Sequence, residues 1–233
     1  GEIILRHDGQ LSGCATAAGP AFEGARLSSG MRAADGAIEH IRIAPDPLTI
    51  THQTSGEVEP SGVCGSAYLD FLAEGRRAGL LNIAGRFDLE HESISPGEHG
   101  KCLRLAGHDG EAVTVTESDV ASLLQAKGAI GAGIITLMQR VGITADHVTR
   151  VYLAGGFGMH LDPVSATACG LLPGFDPEKV EAVGNTSLAG AFLALLDRGV
   201  LEELKRIGQA IEVVELNLDP NFELNYIEQM SLP

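Results

Sequence analysis

The sequence has no tryptophan, and aromatic residues make up 4% of it. Basic residues are scarce as well: 16 Lys+Arg stand against 31 Asp+Glu, for a formal charge of −15. A nucleic-acid partner needs a basic stripe for the phosphates and aromatic faces for the bases, so both shortages argue against one. No apolar run is read as reaching the ~18 residues of a membrane helix, and no signal peptide is visible. The expectation is a cytoplasmic chain with no membrane partner. The four cysteines, Cys14, Cys64, Cys102 and Cys169, stand far apart with no C-x-x-C pair. That spacing suits neither zinc nor an iron–sulfur cluster, and reads as reduced thiols. A Walker A lysine loop, G-x-S-x-G and H-E-x-x-H are all missing. His91, His99 and His108 fit no common ligand set, so no metal site is assigned.

What is present is glycine, 30 of 233 residues, nearly double the usual ~7%. Hydrophobic content of 44% and charged content of 20% mark a globular chain of one large or two small domains. The chain opens on Gly1 and enters a strand at Glu2-Ile-Ile-Leu5, which reads as cut from something longer. Glu2–His7, a turn at Asp8-Gly9 and a return through Leu11–Ala18 form a hairpin. Gly19-Pro20 then opens a helix at its first position. Strands follow at Ile38–Ile43 and Leu48–Gln53, bent at Asp46-Pro47. A helix over Ala67–Ala78 stops at Gly79. Residues 82–112 read as loops around one strand near Cys102–Leu105. The later chain alternates: Val148–Leu153 as a strand, helices after Asp162-Pro163 and Asp219-Pro220, short strands at Val180–Val183 and Ile211–Leu216, and helices over 184–197 and 200–208. Strands alternating with helices give α/β architecture.

The best helix runs over 117–141, with Thr116 as N-cap and Asp119 in a capping box. Two features set it apart. Lys127 lies on its apolar stripe, and Gly128, Gly131 and Gly133 sit in its middle, each costing ~1 kcal/mol relative to Ala. Either a ligand or a closely packed helix approaches that face, and the lysine calls for an anion. The strand at Val148 breaks into Gly155-Gly156-Phe157-Gly158, where a backbone without Cβ atoms can meet a ligand or simply turn a tight corner. Four glycine turns, 19–24, 62–65, 155–158 and 184–190, stand at strand or helix ends. Converging, they would suit a nucleotide cleft, where catalysis is largely positioning and electrostatics. Glu23 is the candidate acid on the phosphate or metal-water side.

In order, these segments resemble the second half of the actin-like, ribonuclease H-like ATPase fold of chaperone ATPases, sugar kinases and actin: a mixed sheet flanked by helices, with an irregular insertion near 82–112. The likeness narrows at Cys14-Ala-Thr-Ala-Ala-Gly-Pro-Ala-Phe-Glu-Gly24, Gly30-Met-Arg-Ala-Ala34, Gly62-Val-Cys-Gly-Ser66, Gln125-Ala-Lys-Gly-Ala-Ile130, Tyr152-Leu-Ala-Gly-Gly-Phe-Gly158 and Val183-Gly-Asn185. Together these resemble the C-terminal domain of reductive activators of corrinoid proteins, across residues 1–233. The resemblance implies ATP with Mg as cofactor. It implies an electron supplied by an N-terminal [2Fe–2S] domain that this chain lacks. It implies as partner a corrinoid protein of a methyltransferase system, restored from Co(II) to Co(I), and leaves a homodimer open. By motif, Gly155, Gly156 and Phe157 face the adenosine, Gln125 and Lys127 lie opposite, and Gly19 and Pro20 lie toward the phosphates. The acidic glycine turn expected before Gly1 and the first ATPase half are absent, so hydrolysis by this chain alone is in doubt. A small-molecule kinase of the same fold, or a non-catalytic scaffold or dimerisation domain, are the alternatives.

Overall fold

The computed structural model describes residues 1–88, 90–98, 100–107 and 112–233. The expected hairpin forms from β1 (Glu2–His7) and β2 (Gln10–Ala15), paired antiparallel from Glu2 with Ala15 to His7 with Gln10. Asp8 and Gly9 both take positive φ, 48° and 78°, the turn whose twist matches a two-residue hairpin. The helix expected from Pro20 does not form. One 3-10 turn, Ala21–Glu23, ends as the backbone goes left-handed at Gly24 (φ 77°) and again at Arg26 (φ 64°). A second hairpin joins β3 (Ala37–Pro45) to β4 (Leu48–Thr54), and the short β5 (Gly62–Val63) pairs with β3 in parallel. Helix α1 (Gly65–Arg77) lies on β3, where Tyr68, Phe71 and Leu72 are fully buried beside Ile38, Ile41 and Ile43.

The stretch expected to be loops around one strand holds a three-stranded sheet: β6 (Ile94–Gly97), β7 (Gly100–Ala106) and β8 (Val113–Thr116). Its signal was hidden by Pro96 on an edge strand and by glycines at the turns. His99 and His108 lie outside the described residues, and His91 Nδ1 accepts from Ser93 N–H at 3.2 Å.

Helix α2 (Glu117–Arg140) forms as expected, with Thr116 and Asp119 in a reciprocal capping box. Its length and composition would allow it to cross a membrane, contrary to the first reading of its apolar run, but 72% of its most apolar window is buried inside the protein. Its mid-helix glycines accept neighbours at close range: a Cβ on Gly128 would stand 3.0 Å from Met230, and one on Gly133 would stand 2.7 Å from Thr16. A packed element, not a ligand, therefore occupies that face at these positions.

The remaining chain gives β9 (Val151–Ala154), α3 (Pro163–Ala168), β10 (Val180–Gly184), α4 (Thr186–Leu196), α5 (Arg198–Ala210), β11 (Ile211–Val213) and α6 (Phe222–Gln229). β10 runs parallel to β9 and β11 runs parallel to β2, so the sheets are mixed and the class is α/β. Asp162 caps α3 as expected, accepting from Val164 N–H, and Asn185 caps α4 by accepting from Leu188 N–H; the helix expected from Asp219-Pro220 begins at Phe222, with Asn221 as its N-cap and no side-chain cap bond.

Asp119 is 3% exposed and also accepts from the Ser28 N–H and hydroxyl, tying α2 to the 25–30 loop. Thr116→Ala should lower stability by about 1 kcal/mol, the value of one N-cap. Asp119→Ala should cost more, about 2 kcal/mol, because it also removes the buried acceptor that the Ser28 N–H and hydroxyl share. Urea unfolding of both variants checks the order; equal losses would show that the Ser28 link contributes nothing.

Candidate nucleotide-facing site

At the end of β9 the chain turns through Gly155 at φ 99°, a conformation open chiefly to glycine. Gly155 N–H donates to Gly184 O at 2.8 Å, which fastens this turn to the end of β10 and the start of α4. No heavy atom lies within 4 Å of where a Cβ would stand on Gly155, Gly156 or Gly19. These are stretches of bare backbone facing open space, and Pro20 beside Gly19 is exposed as well.

Phe157 takes the opposite direction. Its ring stacks on Phe22 at 5.5 Å with an interplanar angle of 20°. The Phe157 ring and the Phe22 backbone close over Gly65, the first residue of α1: a Cβ there would overlap the Phe22 carbonyl oxygen and approach the Phe157 ring to 2.7 Å. Turns 19–24, 62–65 and 155–158 thus meet at one point, and Gly184 links the fourth turn to them. Convergence of the four turns is a property of the fold. Phe157 serves it from within, by packing.

Of the two residues expected opposite, Gln125 is exposed on α2 while Lys127 is fully buried. The Lys127 ammonium donates to Gln229 O at 2.5 Å and Ser231 O at 2.8 Å. These carbonyls lie at the C-terminal end of α6, where the helix dipole is negative and carbonyls lack intrahelical partners. The counter-charge that the sequence called for is therefore supplied by backbone. Burial pushes the Lys127 amine down to about 8, opposed by the nearby Cys169. Cys169 is buried itself, and burial pushes its thiol up to about 11.

Beside the convergence point lies a cavity of about 290 Å³ whose polar lining comes from Glu39, His40, Cys64, Ser66, His160 and Asp162. His40 Nδ1 sits 3.0 Å from Asp70 Oδ2, a carboxylate only 1% exposed that also accepts from Ile41 N–H. Arg42 reaches Asp70 at 3.5 Å and Asp162 at 3.7 Å, spanning from β3 to the cap of α3. Ser66 donates its one hydroxyl proton to Glu39 O at 3.0 Å, so in its 2.9 Å contact with Cys64 the thiol is the donor. None of these side chains was singled out as a site residue in the sequence. His40 and Asp70 are 30 positions apart on different elements, and no local spacing signals their pairing. Glu23 is exposed on its 3-10 turn. Among the described residues no group of His, Cys, Asp and Glu could hold a metal ion.

Residues 1–233 match a family model described as the C-terminal domain of RACo, the ASKHA domain. The chain is 31% identical over 243 residues to the corrinoid activation enzyme RamQ of Eubacterium limosum, covering 97% of this chain and 40% of that protein. It is 27% identical over 230 residues to the [Co(II) methylated amine-specific corrinoid protein] reductase of Methanosarcina barkeri, covering 90% and 40%. Among solved structures, a reductive activator for corrinoid, iron–sulfur protein superposes with a TM-score of 0.92 at 38% identity, over 100% of this chain and 38% of that one. The chain spans about 40% of the length of the curated relatives it matches.

Two measurements probe this geometry. Phe157→Ala should cost about 2 kcal/mol by opening the stack over Gly65, and Gly65→Ala should cost more, since no rotamer relieves a clash with backbone; thermal unfolding ranks them. For Lys127, a folded value below the usual 10.5 means that folding releases a proton between pH 8 and that value. The unfolded chain binds more protons there, so stability rises with pH across the window. Relative to Lys127→Met, the wild-type urea midpoint should climb from about pH 8 to 10. A constant difference would mean that the buried amine does not titrate in that range.

Proposed function

We propose, since the chain belongs to the family of RACo C-terminal ASKHA domains, that it is the ATP-binding half of a reductive activator acting on a corrinoid protein. One curated relative is named a corrinoid activation enzyme and the other a reductase of a Co(II) corrinoid protein. The single observation behind the nucleotide assignment is the meeting of four glycine turns, with Gly19, Gly155 and Gly156 presenting bare backbone to open space. Gly155 and Gly156 form the adenosine edge, and Gly19 with Pro20 lies toward the phosphates and their Mg. Gln125 is exposed and free to reach a ligand. Lys127 acts by holding α6 against the back of α2, and its substitution would weaken nucleotide binding through that support.

The first phosphate-loop strand and the first ATPase half belong, in this reading, to polypeptide outside these residues. So does the [2Fe–2S] cluster that supplies the electron. Cys14, Cys64 and Cys169 are buried singly, Cys102 is half-buried, and the described residues offer no metal-holding group, so the thiols here do not fit a cluster. The reaction served is one-electron reduction of the corrinoid cobalt from Co(II) to Co(I) in a methyltransferase system. ATP contributes by binding one arrangement of activator on corrinoid protein more tightly than another, and shifts the balance only by that difference in affinity.

Gly156→Leu is the discriminating variant. Nothing stands within 4 Å of the new side chain's origin, so the fold should be unaffected. The added bulk should nevertheless reduce ATP affinity by about tenfold or more, that is ~1.4 kcal/mol or more. Amide shifts at Gly155 and Gly156 on titration with Mg-ATP give the readout. Wild-type shifts absent from this turn at millimolar ATP would remove it from the site.

A further inference from the structure

Among the described residues, Asp8 and Arg26 take positive φ without being glycine, at 48° and 64°. Asp8 belongs to the two-residue hairpin turn, whose geometry requires it. Arg26 lies in no such turn, and glycine or asparagine is the usual occupant of the left-handed region. Its neighbours fix it there. On one side the Glu23 and Ala25 N–H groups both donate to Pro20 O at 3.2 Å, and Gly24 N–H donates to Ala21 O at 3.0 Å. On the other, Leu27 is buried and Ser28 is held by Asp119. The two arms meet where Gly24 lies against Gly30, so closely that a Cβ on Gly30 would overlap the Gly24 carbonyl. Ala25 and Arg26 stay exposed outside this closed base. A left-handed backbone on a bulky residue persists only where the surroundings over-determine it, and such strain clusters at ligand clamps and active sites.

The side chain is as uncommitted as the backbone is fixed. With 31 Asp+Glu against 16 Lys+Arg, a guanidinium on this protein has carboxylates to choose from. Arg42, Arg77, Arg86, Arg140, Arg150 and Arg206 each have one within 4 Å. Arg26 has neither an ion pair nor a hydrogen bond among the described residues. Arg6, Arg32 and Arg198 are unpaired too, but their backbones are not left-handed. Arg26 is set apart by its place as well, since the Ala25–Pro20 bond brings it beside the bare backbone of Gly19. Lys127, the cation singled out in the sequence, is bonded to carbonyls at the end of α6 and is not free for an anion. We infer that Arg26 binds the phosphates of the nucleotide on the Gly19–Pro20 side, its backbone set for that task before the ligand arrives. The planar guanidinium offers a phosphate two parallel N–H bonds, and a preset backbone lowers the ordering cost of making them. The inference rests on the nucleotide reading above and adds to it the group that tells a phosphorylated ligand from a bare nucleoside.

Calorimetry with Mg-ATP and with adenosine, on the intact protein that carries these residues, tests it. Arg26→Gln should weaken Mg-ATP binding about tenfold or more, the loss expected of one charge-assisted bidentate contact, and leave adenosine binding as it was. Arg26→Lys, which keeps the charge without the fork, should fall between wild type and Arg26→Gln. Arg26→Gly guards against misfolding: glycine suits the left-handed backbone, so this variant should melt no lower than wild type and still lose Mg-ATP affinity. Wild-type Mg-ATP affinity in Arg26→Gln or Arg26→Gly overturns the inference and leaves the nucleotide reading standing. Equal losses for Mg-ATP and adenosine also overturn it, because Arg26 would then support the fold of the turn rather than meet phosphate. A wild-type protein that binds neither ligand overturns the nucleotide reading and the inference together.

Discussion

The structure depends on how closely backbone can approach α2. Three glycines on that helix leave grooves that the end of α6 and the β1–β2 hairpin enter, and no residue with a side chain fits there without displacing Met230, Gln229 or Thr16. Lys127, in the same stripe, then donates to two carbonyls at the end of α6. Burying an ammonium is costly unless its protons find acceptors, and two of the three do so here. The C-terminal carbonyls of a helix are strong acceptors that would otherwise lack partners, so the two needs are met together. From the opposite end of α2, Asp119 holds its own first turn and the Ser28 loop. One helix thereby sets the positions of the hairpin, the last helix and the loop that leads to the glycine turns.

A second close approach organises the candidate site. Gly65 admits the Phe22 carbonyl and the Phe157 ring to the start of α1, so residues more than 90 positions apart come to share a contact. The bare backbone of Gly155 and Gly156 faces outward because Phe157 faces inward. The proposed ligand edge and its structural anchor are adjacent residues of one turn, and the buttressed His40–Asp70 pair with its cavity lies beside them.

Lys127 illustrates how far a sequence pattern reaches. Its spacing within the apolar stripe correctly marked it as buried and in need of a counter-charge. A phosphate and a pair of helix-end carbonyls satisfy the same electrostatic requirement, and only tertiary placement distinguishes them. The mid-helix glycines carry a similar ambiguity, since a glycine shows that something comes near without showing what. In the 94–116 region the three-stranded sheet escaped notice because Pro96 and its neighbouring glycines mask the period-two alternation that identifies strands.

Local chemistry in the sequence was enough to determine the hairpin turn at Asp8-Gly9, the capping box of α2, the Asp-Pro start of α3 and the left-handed corner at Gly155. Each of these is a matter of φ, ψ and hydrogen bonds within a few residues, so the neighbours in sequence contain the whole cause. Only the tertiary structure decided that Phe157 turns inward, that Lys127 is taken up by α6, that His40 pairs with Asp70 and that α4 is left uncovered. Those outcomes depend on which distant surfaces meet, and burial and long-range pairing free energies are properties of the assembled fold rather than of any one segment.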